Sequence, residues 1–507
     1  MNGTVRALVA IVASVAAPAS MGAAPADRFA SVRESIQQEM QAKNVAGLSL
    51  AVWQNGKIVW EEGFGWADRE RRVPATEHTM FSLASLSKSM TATALMTLVQ
   101  QGKVDLDAPI NDYLGEDAVT VRIGDPKQVT VRRVANHTSG LAEGEQFFYG
   151  DERRLIPSMQ QTIHRYGVVM APPGERYGYS NIGYGVLGEL IAKVSGRSYA
   201  DYLREAVFLP LGMTHSSVDI GAGLAQYAAI RYDNANEPIP NYGFAEPASA
   251  AVYSSAHDLA RFGMFFLKQR QSQQRAILND ASIDHMTDQL VLRATPRAEP
   301  GSRYGVGWVV SERGGYRFIG HGGSMSGVNT NMSMVPETKT GVVVLVNAGG
   351  DAWAERIRDR IFAILLPQRP STMPPAAAAT STATATAFRP SSELLGVWAG
   401  KIHTYEGDLP MSMKVLASGD IHVKVGSGSG ALETLLNGAR FNNDELTGEA
   451  LSQISTADTQ RYPHTVSIRL KLRGQTLNGS VAAVTDHPKF FVYALPYWTE
   501  LFRVTTP

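Results

Sequence analysis

Ser85 and Lys88 stand three residues apart in Ser85-Leu86-Ser87-Lys88, at the head of a run to Gln101 in which Met90, Ala94, Leu95 and Leu98 recur at helical spacing before Gly102. Residues three apart share a helix face, so the Lys88 amine reaches the Ser85 hydroxyl from one turn along. A serine hydroxyl attacks a carbonyl only when a neighbouring base takes its proton. A lysine in a desolvated cleft can be that base, because leaving water lowers its pKa. The helix N-terminus adds partial positive charge beside Ser85, where an oxyanion would develop. Taken alone, the pair also fits a capped helix with a solvated lysine.

Two further clusters carry compatible chemistry. Tyr179-Ser180-Asn181 follows the Pro172-Pro173-Gly174 entry and precedes an apolar helical run. A phenol can relay a proton to a leaving group, and an Asn amide can bridge base and substrate. A second Tyr-x-Asn, Tyr232-Asp233-Asn234, has neither flank and is set aside. His321-Gly322-Gly323-Ser324 ends the expected strand Tyr316–Gly320. Its two glycines let a substrate backbone approach closely. The N–H groups of Ser324 and Ser85 then supply two donors for an oxyanion. A lone strand histidine such as His321 also fits a structural role.

Other signals point to structure. Gly183, Gly185 and Gly188 fit G-x-G-x-x-G, but no apolar strand precedes them, so they suit close helix packing rather than a dinucleotide. Lys339-Thr340-Gly341 lies in a hairpin turn, and His137 and Arg317 fit structural and solvated roles. The eleven histidines show no metal-ligand spacing, so neither a metal nor any other cofactor is expected.

The elements that must position these groups come from both ends of the chain. Phe29, Val32, Ile36 and Met40 predict a helix over Asp27–Lys43. Leu48–Trp53 and Ile58–Glu62 flank Asn55-Gly56, a strong hairpin signal. Helical patterns dominate from Ser85 to about Pro300. Strands are expected at Tyr304–Ser311, Tyr316–Gly320, Asn329–Val335 and Gly341–Asn347, with a helix over Trp353–Leu366. The economical arrangement is an α/β fold of the α+β type: one antiparallel sheet flanked by helices, with an inserted helical lobe and the cleft between them. This unit covers 27–367. The Pro/Ala/Thr-rich stretch 368–390 reads as a linker. Residues 391–507 read as an all-β domain, a small barrel or sandwich; Val466, Ile468, Leu470 and Leu472 alternate within it.

With 507 residues and 44% hydrophobic residues, the chain has ample material for several cores. Lys plus Arg and Asp plus Glu are both 47. That balance argues against a nucleic-acid partner and against docking on anionic lipid. The absence of cysteine excludes disulfides, thiolate metal sites, Cys nucleophiles and a lipidated N-terminal Cys. Arg6, the short apolar run Ala7–Ala17 and the small residues to Ala26 read as a cleavable export signal over 1–26. A soluble periplasmic or secreted protein without a transmembrane anchor is therefore expected. Oligomeric state is left open.

The order Ser-x-x-Lys, Tyr-x-Asn, His-x-Gly resembles the penicillin-recognising serine hydrolases. More narrowly it is similar to the class C β-lactamase, D-Ala-D-Ala carboxypeptidase and esterase group. Asn136–Leu141 and Ser254–Phe262 agree with that pattern. The resemblance covers about residues 29–366 and implies the β-lactamase/DD-peptidase-like sheet and lobe. It implies Ser85 as the acylated nucleophile, Lys88 as its base, Tyr179 as a proton-transfer partner and Asn181 as a holder of the substrate amide. His321 departs from the Lys-Thr-Gly of class C β-lactamases and looks more like the His-Thr-Gly of some DD-peptidases. Gly396-Val397-Trp398-Ala399-Gly400 resembles the lipocalin-like barrels appended to some relatives. The implied activity is hydrolysis of short or D-amino-acid-containing peptides. A carboxylesterase and then a β-lactamase are the enzymatic alternatives; a penicillin-binding sensor that acylates without turnover is the non-enzymatic one.

Overall fold

The computed structural model describes residues 27–293, 299–350, 352–367, 388–427, 431–485, 487 and 489–504. The expected export segment and most of the expected linker lie outside the described residues.

The first helix, Ala30–Lys43, buries Val32, Ile36 and Met40. It ends where Asn44 turns left-handed at φ 54°. Strands Gly47–Gln54 and Lys57–Asp68 form the expected hairpin. Its turn residues Asn55 and Gly56 both have positive φ, 51° and 74°. That is the backbone for which Asn-Gly is suited.

The main sheet has nine strands and joins the two ends of its unit. Gly47–Gln54 pairs antiparallel with Thr340–Val346, from Leu48↔Val346 to Gln54↔Thr340. Beyond that pair lie Val328–Val335, Tyr316–Met325 and Val309–Arg313 in turn. Alternation then sorts the side chains between two cores. Leu48, Leu50, Val52, Val342, Val344 and Val346 pack under Ala30–Lys43 and the closing helix Trp353–Leu365. Ala51, Trp53, Val343 and Leu345 face the opposite core, which holds Phe262 of helix Ala256–Phe266 and the inserted lobe.

The lobe centres on helices Ser87–Gln100 and Asn181–Ser195. Gly185 and Gly188 serve packing, as expected: a Cβ on them would fall 2.8 Å from Glu246 Cβ and 2.6 Å from Ala248 Cβ. The middle of the chain is less uniformly helical than its pattern suggested. It also contains Phe81–Ser82, Ser216–Val218 and Val252–Ser254 as a small sheet. Two more strands there, Glu145–Tyr149 and Tyr242–Phe244, join neither that sheet nor the main one.

The C-terminal unit resolves the choice between barrel and sandwich. Eight strands run from Gly396–Thr404 to Tyr493–Arg503, each antiparallel to the next. Gly396–Thr404 then pairs with Tyr493–Arg503 and closes the barrel. Strand His464–Arg473 alternates between buried and more exposed positions as its sequence pattern requires. Trp398, Ile402, Met413, Val423, Leu446, Ile468, Leu470, Val481 and Leu501 fill the interior. Closure is not complete isolation. The start of Tyr493–Arg503 also pairs with Glu145–Tyr149, at Tyr493↔Gln146 and Ala494↔Glu145. Glu145–Tyr149 pairs in turn with Tyr242–Phe244.

Candidate active site

Ser85 lies in a tight 3-10 turn, Ala84–Leu86, rather than in the α-helix itself, which starts at Ser87. Ala84 just before it has φ 49°, a left-handed conformation that residues with a Cβ rarely adopt. Lys88, fully buried, points back from the first turn of the helix. Its Nζ stands 3.2 Å from Ser85 Oγ, 2.7 Å from Asn181 Oδ1 and 3.0 Å from the Ser249 carbonyl oxygen. Burial pushes its pKa from 10.5 down to about 7, while the charges of Glu145, Glu246 and Glu143 pull it back up. These three contacts define what the amine can do. A neutral amine has two N–H bonds and one lone pair. Donation to the two fixed acceptors, Asn181 Oδ1 and the Ser249 carbonyl, leaves the lone pair facing the Ser85 hydroxyl.

Tyr179 and Asn181 converge on the same point. The Tyr179 phenol is under the influence of Ser85, which favours its ionised form, and burial nevertheless raises its pKa well above the ordinary value. At neutral pH it is a proton donor, not a phenolate. The Tyr179 ring also lies 4.7 Å from Lys88 Nζ, centroid to nitrogen. Asn181 opens helix Asn181–Ser195, whose N-cap Ser180 accepts from Gly183 N at 2.9 Å and donates to the Ala142 carbonyl at 2.7 Å. Ser180 N in turn donates to His137 Nδ1 at 3.1 Å. The His137 ring is buried among Tyr177, Tyr179, Tyr184 and Tyr304, with centroids 4.4–5.7 Å away. Burial depresses its pKa well below the ordinary histidine value. It is the structural residue the sequence suggested, and it holds the turn that carries Tyr179 and Asn181.

The third motif continues the strand beyond its expected end, because Tyr316–Met325 runs through His321, Gly322, Gly323 and Ser324. Val309–Arg313 pairs with this strand only as far as Gly320. From His321 onward, one edge is paired with Val328–Val335 and the other has no strand partner among the described residues. Gly323 lies directly against the Ser85 turn: a Cβ there would stand 2.1 Å from the Leu83 carbonyl oxygen and 3.1 Å from Ala84 Cβ. Thr330 Oγ1 donates to that same Leu83 oxygen at 2.8 Å. The glycine therefore makes room for the protein's own backbone, a reason the sequence could not show. Ser324 is exposed at the strand end.

Both nitrogens of His321 are engaged by the protein. Nε2 accepts from Tyr304 Oη at 2.9 Å, and Nδ1 donates to the Gly322 carbonyl at 2.6 Å. Burial lowers its pKa to about 3, with the Lys88 charge acting in the same direction. It is a neutral imidazole, not a cation. Lys339 lies in the hairpin turn with φ 50°, next to Asn55, as the turn reading requires. Arg317 donates to the Thr287 carbonyl. Tyr232, in the second Tyr-x-Asn, donates to Glu70 Oε2.

Sequence reasoning missed two acids. Glu145 Oε2 accepts from Asn181 Nδ2 at 2.9 Å, and burial lifts its pKa to about 7 against the pull of Lys88. Glu246, buried behind it, accepts from Gln146 N at 3.2 Å and is pushed well above the carboxylate range by burial. Neither lies in a recognisable motif. Among the described residues, no group of three or more His, Cys, Asp or Glu is placed to hold a metal.

A family model described as Beta-lactamase matches residues 32–366. Protein flp of Staphylococcus aureus (strain MRSA252) is 24% identical over 327 residues, which make up 62% of this chain and 62% of that protein. The chain thus spans under two thirds of the length of such curated relatives. The D-amino acid amidase from Ochrobactrum anthropi SV3, solved with L-phenylalanine amide, is 25% identical with a TM-score of 0.53, covering 66% of this chain and 99% of that one. The octameric penicillin-binding protein homologue from Pyrococcus abyssi shares the fold over 92% of this chain and 99% of its own, with a TM-score of 0.58 at 23% identity.

Proposed function

The chain belongs to the beta-lactamase family of serine hydrolases, and on that premise we propose that it cleaves the amide bond of short or D-amino-acid-containing peptides through an acyl-enzyme on Ser85. The observation that carries this reading is the Lys88 amine, buried with two fixed acceptors and its third partner the Ser85 hydroxyl. In the proposed cycle Ser85 Oγ attacks the carbonyl and its proton passes to neutral Lys88. The N–H groups of Ser85 and Ser324 hold the oxyanion, and Gly322 and Gly323 carry the strand edge past it, Gly323 close against the Ser85 turn. Tyr179, held as a phenol, passes a proton to the leaving amine as the acyl-enzyme forms. Water then takes the amine's place and the steps reverse to release the acid. Asn181 holds the Lys88 amine through Oδ1 and Glu145 through one N–H of Nδ2, which leaves the second N–H for the substrate amide.

Solved relatives include both a D-amino acid amidase and class C β-lactamases, so it is a feature of the site that favours an amide over a β-lactam. His321 stands where a lysine would anchor a β-lactam carboxylate, and it is neutral. The test is a panel of p-nitrophenyl esters, D- and L-amino acid amides, short peptides and a chromogenic cephalosporin, run on the native chain and on Ser85→Ala. Turnover of D-configured amides that is lost in Ser85→Ala supports the reading. Cephalosporin turnover exceeding that of every amide, or amide turnover surviving in Ser85→Ala, overturns it. We infer export to the periplasm or the medium as well, from residues 1–26; N-terminal sequencing of the mature protein checks it.

A further inference from the structure

We propose that Glu145 is a positioning residue for this hydrolysis, fixing the Asn181 amide so that its oxygen faces Lys88, and that the C-terminal barrel holds Glu145 in place. The inference rests on the reading of Ser85 and Lys88 as nucleophile and base. It adds a residue and a domain that this reading does not use.

The argument starts from the symmetry of an amide. An Asn side chain fits its pocket almost equally well with O and N exchanged, so only hydrogen-bond partners decide its orientation. On one side of Asn181 is Lys88 Nζ, 2.7 Å from Oδ1; on the other is Glu145 Oε2, 2.9 Å from Nδ2. An ionised carboxylate only accepts, so it compels Nδ2 to face it and Oδ1 to face the amine. With the amide reversed, Asn181 would present N–H to Lys88. The Lys88 lone pair would then turn to Asn181 and an N–H bond would turn to Ser85, the wrong arrangement for taking a proton.

Glu145 is held from the far end of the chain. Its strand pairs with the barrel's closing strand at Ala494↔Glu145 and Tyr493↔Gln146. Phe147 N donates to the Val492 carbonyl at 2.7 Å, and Gln146 Nε2 donates to Asp458 Oδ1 at 3.3 Å. Gly144, one residue before Glu145, is clamped between the two units: a Cβ there would lie 2.5 Å from Ile182 Cδ1 and 2.8 Å from Pro496 Cδ. The barrel therefore fixes the depth at which the Glu145 carboxyl meets Asn181.

The charge has a consequence of its own. The acids acting on Lys88 are Glu145, Glu246 and Glu143, and its amine lies over the rings of Tyr179 and Tyr184. Glu145 in turn feels Lys88 and Glu143, and its field reaches Tyr149, Tyr179, Tyr242 and Glu246. His137 and His321 feel the Lys88 charge but are themselves held neutral by burial. Lys88 and Glu145 titrate as a coupled pair near pH 7, so the acidic limb of the rate profile belongs to both. A negative Glu145 raises the Lys88 pKa. Removing that charge lowers it, and the basic form of Lys88 then persists to lower pH.

The experiment compares Glu145→Gln, Glu145→Ala and the native full-length chain on a D-amino acid amide from pH 5 to 9, with thermal melts alongside. Gln keeps an acceptor for Asn181 Nδ2 but loses the charge. It should hold kcat within a few fold while the acidic limb moves to lower pH. Ala loses the acceptor and should lower kcat about a hundredfold, the cost of a misplaced catalytic group. Native kcat and an unmoved limb in Glu145→Ala overturn the proposal. So does an equal loss in both variants, with no limb shift and a matching fall in Tm, because that is the signature of a purely structural acid. Ser85→Ala in the same assay separates the two readings: if it stays active, the assignment of Ser85 fails; if it is dead while both Glu145 variants behave as native, only the role of Glu145 fails.

Discussion

The protein contains two large β assemblies that treat their edges in opposite ways. The nine-stranded sheet is sewn from distant parts of the chain and, among the described residues, leaves one edge without a strand partner from His321 to Met325, beside Ser85. The barrel is built from neighbouring hairpins and closes on itself through Gly396–Thr404 and Tyr493–Arg503. A free edge offers unpaired N–H and C=O groups to anything extended that comes near, and closure removes that hazard. The chemistry we propose sits where the edge is open. The barrel departs from closure at one place, and there it pairs with the strand that bears Glu145.

The sharpest way to break this contrast is at Lys88. Lys88→Ala should reduce kcat by about a thousandfold or more, since members of a catalytic unit fail together. It should leave the barrel's denaturation unchanged. Activity within about tenfold of native would remove Lys88 from the chemistry. On the closed side, Trp398→Ala should cost about 3–5 kcal/mol of stability, because Trp398 is fully buried and its Nε1 donates to the Leu394 carbonyl at 2.9 Å. Urea melts followed by fluorescence read that cost. A separate, earlier transition would mark the barrel as a unit of its own, and a single shifted transition would mean that its contact with the lobe couples the two.

The open edge has its own weak point at Gly323. Gly323→Ala puts a methyl group against the Leu83 carbonyl and should lower kcat/KM about a hundredfold by moving the Ser85 turn. A native rate constant there would show that the turn moves freely. The pH profile is a gentler probe. Lys88 must be neutral to accept a proton, and burial sets its pKa at about 7. kcat/KM should therefore be on its plateau above pH 8 and fall as pH drops through 7. A flat profile down to pH 5 would contradict a lysine base. The smallest effect is expected at Lys339→Ala. That residue lies in the hairpin turn near Asn55, and activity should not change.

Local rules made part of this molecule legible in advance. Three-residue spacing joined Ser85 to Lys88, Asn55-Gly56 located the first hairpin, and the unbroken alternation from Val466 to Leu472 marked a barrel strand. The Pro-Gly entry and apolar helix separated Tyr179 and Asn181 from the copy at Tyr232. What escaped depends on partners remote in sequence. Glu145 sits in no motif and gains its place from Ala494. Gly323 is small because Leu83 crosses it. His321 owes its neutral state to burial and to its bond with Tyr304, neither of which its motif shows. The helical spacing also extends over Ser85, whereas the left-handed Ala84 sets that residue in a 3-10 turn ahead of the helix.

The ladder between Glu145–Tyr149 and Tyr493–Arg503 also imposes an order in time. During synthesis from the N-terminus, Ser85, Lys88 and Asn181 leave the ribosome long before Ala494. Until the last barrel strand emerges, Glu145–Tyr149 can pair only with Tyr242–Phe244. A hydrolase whose acid is docked by a strand made long after Ser85, Lys88 and Asn181 is one that matures late.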